Sequence, residues 1–155
     1  MPAARLKEFL DSQGVRYVAI THSIAYTAQE IAASAHVRGK EMAKIVIVRI
    51  DGRLAMAVLP ASPKVDVKLL QEATGAKQVE IATEADFREA FPGCELGAMP
   101  PFGNLYGMEV FVDPRLTQDK EIAFNAGNHR ELIRMSYVDF DRLAHPKVVT
   151  LARTN

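Results

Sequence analysis

The chain has one cysteine, no excess of charge of either sign and no apolar run long enough to span a membrane in its 155 residues. Each absence excludes something. A lone thiol, Cys94, rules out an internal disulfide and suits a reducing compartment. Nineteen basic residues balance nineteen acidic ones, so the chain lacks the bulk positive field that binds long nucleic acids regardless of sequence. Any nucleic-acid contact has to be local. The opening "MPAARLKEFLDSQG" carries charges in its first turns instead of the apolar core of a signal peptide. The cytoplasm is therefore the expected location, with no membrane partner. His22, His36, His129 and His145 are scattered, with no H-E-x-x-H or paired-cysteine spacing, so a catalytic zinc is not expected. Neither a G-x-S-x-G elbow nor a G-x-x-x-x-G-K-[ST] phosphate loop occurs.

What is present reads as one globular domain over residues 1–155, 48% apolar and 25% charged. Leu6, Phe9 and Leu10 recur at helical spacing up to Gly14, and a strand follows around Val15 to Ile20. Thr27 and Glu30 form a capping-box pair that opens a second helix. "AKIVIVRIDGRLAMAVLP" is two apolar runs around Asp51-Gly52, the pair that supplies the positive φ angles of a type I′ hairpin turn. Asp66 caps a helix ending at Gly75, and Thr83 caps another over "EADFREAF". "MEVFVDP", "EIAFNAG" and "LIRMSY" read as strands, and Ser136 opens a last helix through Leu143. The sum is an α+β fold with a mixed, mostly antiparallel sheet flanked by short helices; a Rossmann reading lacks its glycine fingerprint.

Three places stand out chemically. In "GAMPPFGN", Pro100 and Pro101 fix φ and carry no backbone donor, while Gly97 and Gly103 allow geometries or approaches that a Cβ forbids. The loop either joins two strands tightly or is shaped to hold something. Lys44 is the only charge in "AKIVIV", on the strand face that continues as Val46, Val48 and Ile50. It either snorkels from the strand end or meets an anion, with phosphate or carboxylate the natural partner. In "FNAGNHREL", Gly127, Asn128 and His129 make either a plain turn or a glycine-shaped loop presenting an amide and an imidazole to a ligand. His22 is a packing residue or joins such a site. Cys94, three residues before Gly97, has no adjacent activating group that would mark a nucleophile.

Together, "YTAQEIA", "AKIVIVRIDGRLAMAVLP", "GAMPPFG", "VFVDPRL" and "FNAGNH", in this order and spacing, resemble the YbaK-type aminoacyl-tRNA deacylases, relatives of the editing domain inserted in bacterial prolyl-tRNA synthetase. The resemblance spans roughly Thr21 to Leu143. It implies hydrolysis of the ester between a wrong amino acid and the terminal adenosine of a transfer RNA, tRNA(Pro) or a related one, with no metal or organic cofactor. The expected partner is the mischarged tRNA 3′ end, together with an aminoacyl-tRNA synthetase as a candidate.

Carried over by position, Lys44 grips the end of the acceptor strand. Gly97 and Pro101 bound the G-x-x-x-P loop that holds ester and water. His129 matches the histidine of the G-x-H turn that some members have. Tyr26, Thr27, Met42, Met99, Pro100, Phe102, Gly127 and Asn128 are the expected substrate-binding neighbours. Arg38, Lys40 and Lys64 are either acceptor-stem contacts or solvated surface charges. Two other readings stand beside it: a non-catalytic module for a nucleotide or tRNA 3′ end that uses the same cavity, and a hydrolase of a different small ester with Cys94 as nucleophile.

Overall fold

The computed structural model describes residues 2–22, 38, 40–92, 94–95 and 97–153. The chain opens with α1 (Pro2–Ser12) and β1 (Tyr17–Thr21). The expected hairpin is β2 (Ala43–Ile50) and β3 (Arg53–Pro60), paired in register from Ala43 opposite Pro60 to Ile50 opposite Arg53. At its tip Asp51 and Gly52 have φ of 48° and 86°, the left-handed pair a two-residue I′ turn requires.

A short strand β4 (Lys64–Val65) leads into α2 (Val67–Thr74), where Asp66 accepts from the N–H groups of Lys68 and Leu69 and Gly75 closes the helix at φ 72°. β5 (Val79–Ile81) and α3 (Glu84–Phe87) follow. Thr83 caps α3 as expected, with Asp86 completing a capping box, but the helix ends after one turn rather than running through "REAF". β6 (Glu109–Val112), α4 (Pro114–Thr117), β7 (Glu121–Asn125), β8 (Glu131–Ser136), α5 (Tyr137–Ala144), β9 (Lys147–Val148) and β10 (Ala152–Arg153) complete the order. Ser136 caps α5 through the Asp139 N–H, and His145, not a glycine, takes the left-handed closing position at φ 49°. The helix expected from Thr27 lies outside the described residues.

Five strands form one sheet in the order β5-β2-β3-β6-β9, antiparallel around β2 and parallel from β3 to β9; β1-β8-β7 form a second, antiparallel sheet, and β10 pairs with β4. The architecture is the expected mixed α+β one. Met42 bridges Ala123 in parallel and Glu41 accepts from the Ala123 N–H at 2.9 Å, so the two main sheets meet just before β2 and within β7.

The period-2 alternation of β2 sorts its side chains onto two faces. Ala43 and Ile47 join Met56, Val58, Phe102, Phe124 and Phe140 in the main core. Val48 joins Ala55, Ala57, Leu59, Leu70 and Phe111 in a second cluster on the opposite face. Lys44 belongs to that second face, opposite Leu59 on β3.

Candidate active site

The two glycines that bound the stiffened loop are required for different reasons. Gly97 has φ 85°, where a side chain is strained. A Cβ on Gly103 would come within 2.7 Å of the Met108 carbonyl oxygen, so backbone approaches backbone there. Between them Ala98, Met99, Pro100, Pro101 and Phe102 are all buried. Phe102 has no exposed surface, and its ring meets those of Phe9, Phe124 and Phe140 edge-on at centroid distances of 5.8, 5.6 and 5.5 Å. It sits in the core and anchors the loop. Removing an aromatic side chain so placed costs about 3–5 kcal/mol.

The loop is tied to the glycine-histidine turn. The Glu95 N–H donates to the Gly127 carbonyl at 2.9 Å, and the Gly127 N–H donates to the Ala98 carbonyl, also at 2.9 Å. The His129 N–H donates to Glu95 Oε1 at 2.9 Å. A Cβ built on Gly97 would lie 3.6 Å from His129 Cε1. The G-x-x-x-P loop and the G-x-H turn, some thirty residues apart in sequence, thus form one unit. Within the turn, Asn128 Oδ1 accepts from the Arg130 N–H at 2.8 Å, and the Arg130 carbonyl accepts from the His22 N–H at 2.8 Å. His22 therefore lies beside the turn.

The loop's amides can be counted. Pro100 and Pro101 have none, and the Ala98 N–H is engaged by the Glu95 carbonyl at 3.1 Å. Among the described residues the Gly97 N–H meets only the Met99 thioether, at 3.2 Å, a weak acceptor. The prolines thus hold a backbone in which the Met99, Phe102 and Gly103 N–H groups have no acceptor among the described residues and the Gly97 N–H has only a weak one.

Lys44 is half-buried at the start of β2. Burial pushes its ammonium below the ordinary lysine value, and the nearby Lys64 charge adds to the effect. Among the described residues no carboxylate pairs with it. From the parallel Met42–Ala123 bridge, β2 runs on to Lys44 while β7 runs on to Asn125 and the turn. The bridge sends both chains the same way, which relates the lysine to the turn without a direct side-chain contact. Met42 itself is fully buried. Tyr26 and Thr27 lie outside the described residues.

Glu95 is the residue that sequence reasoning missed: nothing in "FPGCEL" marks a carboxylate that folds back onto a turn beyond β7. Cys94 is half-buried, its Sγ 3.4 Å from the Tyr106 hydroxyl. Burial pushes the thiol up, outweighing the Tyr106 contact and the Arg5 charge, which is the wrong direction for a thiolate nucleophile. A cavity of about 960 Å³ at the hairpin end, lined by Asp51, Gly75, Tyr106, Phe111 and Lys147 among others, shares no residue with this loop-and-turn unit.

Residues 22–143 match the family described as the aminoacyl-tRNA editing domain. The chain belongs to that family. Its members edit aminoacyl-tRNA, and this editing domain is accordingly a hydrolase of the aminoacyl ester, an aminoacyl-tRNA deacylase. A curated relative, the multifunctional Ser/Thr-tRNA deacylase ProXp-y of Escherichia coli K12, is 28% identical over 158 aligned positions, covering 97% of this chain and 92% of the relative.

The fold recurs in solved structures. A hypothetical protein, APE2540, superposes with a TM-score of 0.85 at 21% identity, covering 96% of this chain and 99% of its own. A candidate trans-editing enzyme for prolyl tRNA synthetase superposes with a TM-score of 0.83 at 20% identity, covering 99% and 98%. No helix among the described residues of the editing domain is long and apolar enough to cross a membrane.

Proposed function

We propose that this editing domain acts in trans, in the cytoplasm, to remove a small hydroxyl-bearing amino acid from a mischarged tRNA(Pro) or a related tRNA. The observation that carries the reading is the tie between the two loops: Glu95, Gly127 and Ala98 hold the G-x-x-x-P backbone against His129. Serine and threonine are the proposed amino acids because the Escherichia coli relative is a Ser/Thr-tRNA deacylase. A hydroxyl is hard for an apolar pocket to reject or select unless a polar partner is provided.

In this reading Lys44 takes the phosphate at the 5′ side of the terminal adenosine, a charge-assisted contact that also neutralises the lysine's own unfavourable burial. The loop aligns the ester, and water attacks its carbonyl carbon. The developing oxyanion is met by loop amides, of which Gly97, Met99, Phe102 and Gly103 are the candidates. The bond between the acyl carbon and the ribose oxygen then breaks, and a proton passes from the attacking water to that oxygen, leaving free amino acid and tRNA. His129 orients water or the adenosine. Preorganised dipoles and orientation suffice for a labile ester, without a nucleophilic side chain.

The test is turnover on a panel of mischarged tRNAs with protein well below substrate. Release of serine or threonine over many cycles supports the reading. Stoichiometric binding without release across the panel would instead favour a non-catalytic module for the tRNA 3′ end. Activity that persists without any synthetase present would show that a synthetase partner is dispensable.

A further inference from the structure

A second concavity lies upstream of the bridge that joins the two sheets. It measures about 500 Å³ and is lined by Lys40, Pro60, Pro63, Arg115, Gln118 and Asp119, together with Ser62. Lys40 precedes the bridge residue Met42, and Asp119 precedes its partner Ala123, so the groove sits on the opposite side of the bridge from Asn125 and the glycine-histidine turn. Lys44 stands between the two along the chain, opposite Leu59, the neighbour of the groove residue Pro60. A strand held at Lys44 with its acyl end at the turn would extend its preceding nucleotides towards this groove.

The lining suits a flat ring with an amino edge. Two proline rings provide apolar walls. Arg115 is fixed: its Nε lies 3.3 Å from Asp113 Oδ1 and its Nη2 donates to the Ala152 carbonyl at 2.8 Å. A guanidinium plane held from one edge is a surface on which a base can stack. Asp119 lines the groove with its carboxylate, whose Oδ2 is shut off from solvent and has no hydrogen-bond donor among the described residues. Burial raises its carboxyl, Lys40 pulls it down and Glu41 raises it. A carboxylate in the wall of a groove accepts from an amino group on whatever enters it. Charge agrees with the occupant: Lys40 and Arg115 line the groove, and Lys64 follows Pro63.

We propose that this groove is a base-reading subsite for a cytosine preceding the terminal adenosine of the tRNA 3′ end, with Asp119 accepting from the cytosine amino group. The inference rests on the deacylase reading for the direction of the strand. Carboxylates accept from the exocyclic amine of cytosine, whereas uracil presents an acceptor at the same place, so the site discriminates by hydrogen-bond polarity.

The experiment measures binding of uncharged CCA and UUA trinucleotides by titration calorimetry, in wild type and in Asp119→Asn, with melting curves for both proteins. CCA is expected to bind about tenfold tighter than UUA in wild type. Asp119→Asn, nearly isosteric and able to offer either an oxygen or an amino group, should bring the two within about twofold. Equal wild-type affinities overturn the proposal, as does a cytosine preference that survives in Asp119→Asn. A parallel measurement of seryl-CCA hydrolysis separates the two readings. A CCA preference without turnover would sink the deacylase reading for serine and leave the subsite standing, and turnover without base preference would do the reverse.

Discussion

A Cβ on Gly97 would stand 3.6 Å from Cε1 of His129, so the loop glycine and the turn histidine meet with room for little between them. Gly97→Val adds a branched side chain at that point and at φ 85°, a backbone region that costs a branched residue about 1–2 kcal/mol. The expected result is a melting temperature lower by a few degrees and a single-turnover deacylation rate lower by about 10²-fold, because a displaced ester loses alignment. Parallel, modest losses in both would reduce the loop to a connector.

Glu95 offers a cleaner probe of the same contact, because its Oε1 accepts the His129 N–H. Glu95→Gln keeps a carbonyl acceptor and should stay within about twofold of wild type; Glu95→Ala removes the acceptor and should lower the rate roughly tenfold. His129→Ala is expected to give a partial defect. Complete inactivity with native melting would make His129 the general base, and no change would leave it a turn residue.

Lys44→Met deletes a charge from a site that already disfavours it. Burial, helped by Lys64, lowers the lysine's affinity for its proton, so the charged form is less favourable in the folded state than in the unfolded chain and costs stability at neutral pH. The variant should melt at the same temperature or slightly higher. Deacylation should fall by about 10²-fold if the ammonium holds phosphate. An equally stable, fully active variant would remove Lys44 from the mechanism.

Acid should loosen the β4–β10 edge. Asp66 lies below its ordinary value of 3.8, chiefly through the hydrogen bond from Arg153; desolvation, the next largest effect, opposes this, and the Leu69 and Lys68 amides add to the lowering. A depressed carboxylate contributes stability above its unfolded value, and that contribution is lost as pH falls through the folded one. Asp66→Asn should therefore melt lower than wild type at pH 7. The gap should close as pH falls below about 3.8, because wild type then loses the same interaction. A gap independent of pH would mean that helix capping, not the ion pair, is at stake.

Local signals in the sequence were enough for the elements whose chemistry is local. The Asp51-Gly52 turn, the Asp66, Thr83 and Ser136 caps and the Gly75 stop each depend on residues a few positions apart. The short strands β4, β9 and β10 were not legible, because two-residue strands carry no period and exist only through their partners. At the site, the glycines and prolines announced themselves by composition. Glu95 did not, because its hydrogen bond closes over a separation of 34 residues. Phe102, expected beside the ligand, lies among core rings, a distinction that side-chain type alone cannot make.

The pairing of β1 with β8, Tyr17 opposite Met135 through Thr21 opposite Glu131, joins the first strand to one more than a hundred residues later. The His22 amide extends that ladder to Arg130, the residue after His129. Non-local pairings of this kind close late and slowly, because loop entropy opposes them until most of the chain is in place. During synthesis the hairpin of β2 and β3 can form as soon as it emerges, whereas the turn next to His129 gains its full support only once β8 has left the ribosome. A nascent or truncated chain ending before Glu131 would carry both the lysine strand and the G-x-x-x-P loop, yet lack the strand that holds the histidine turn against them.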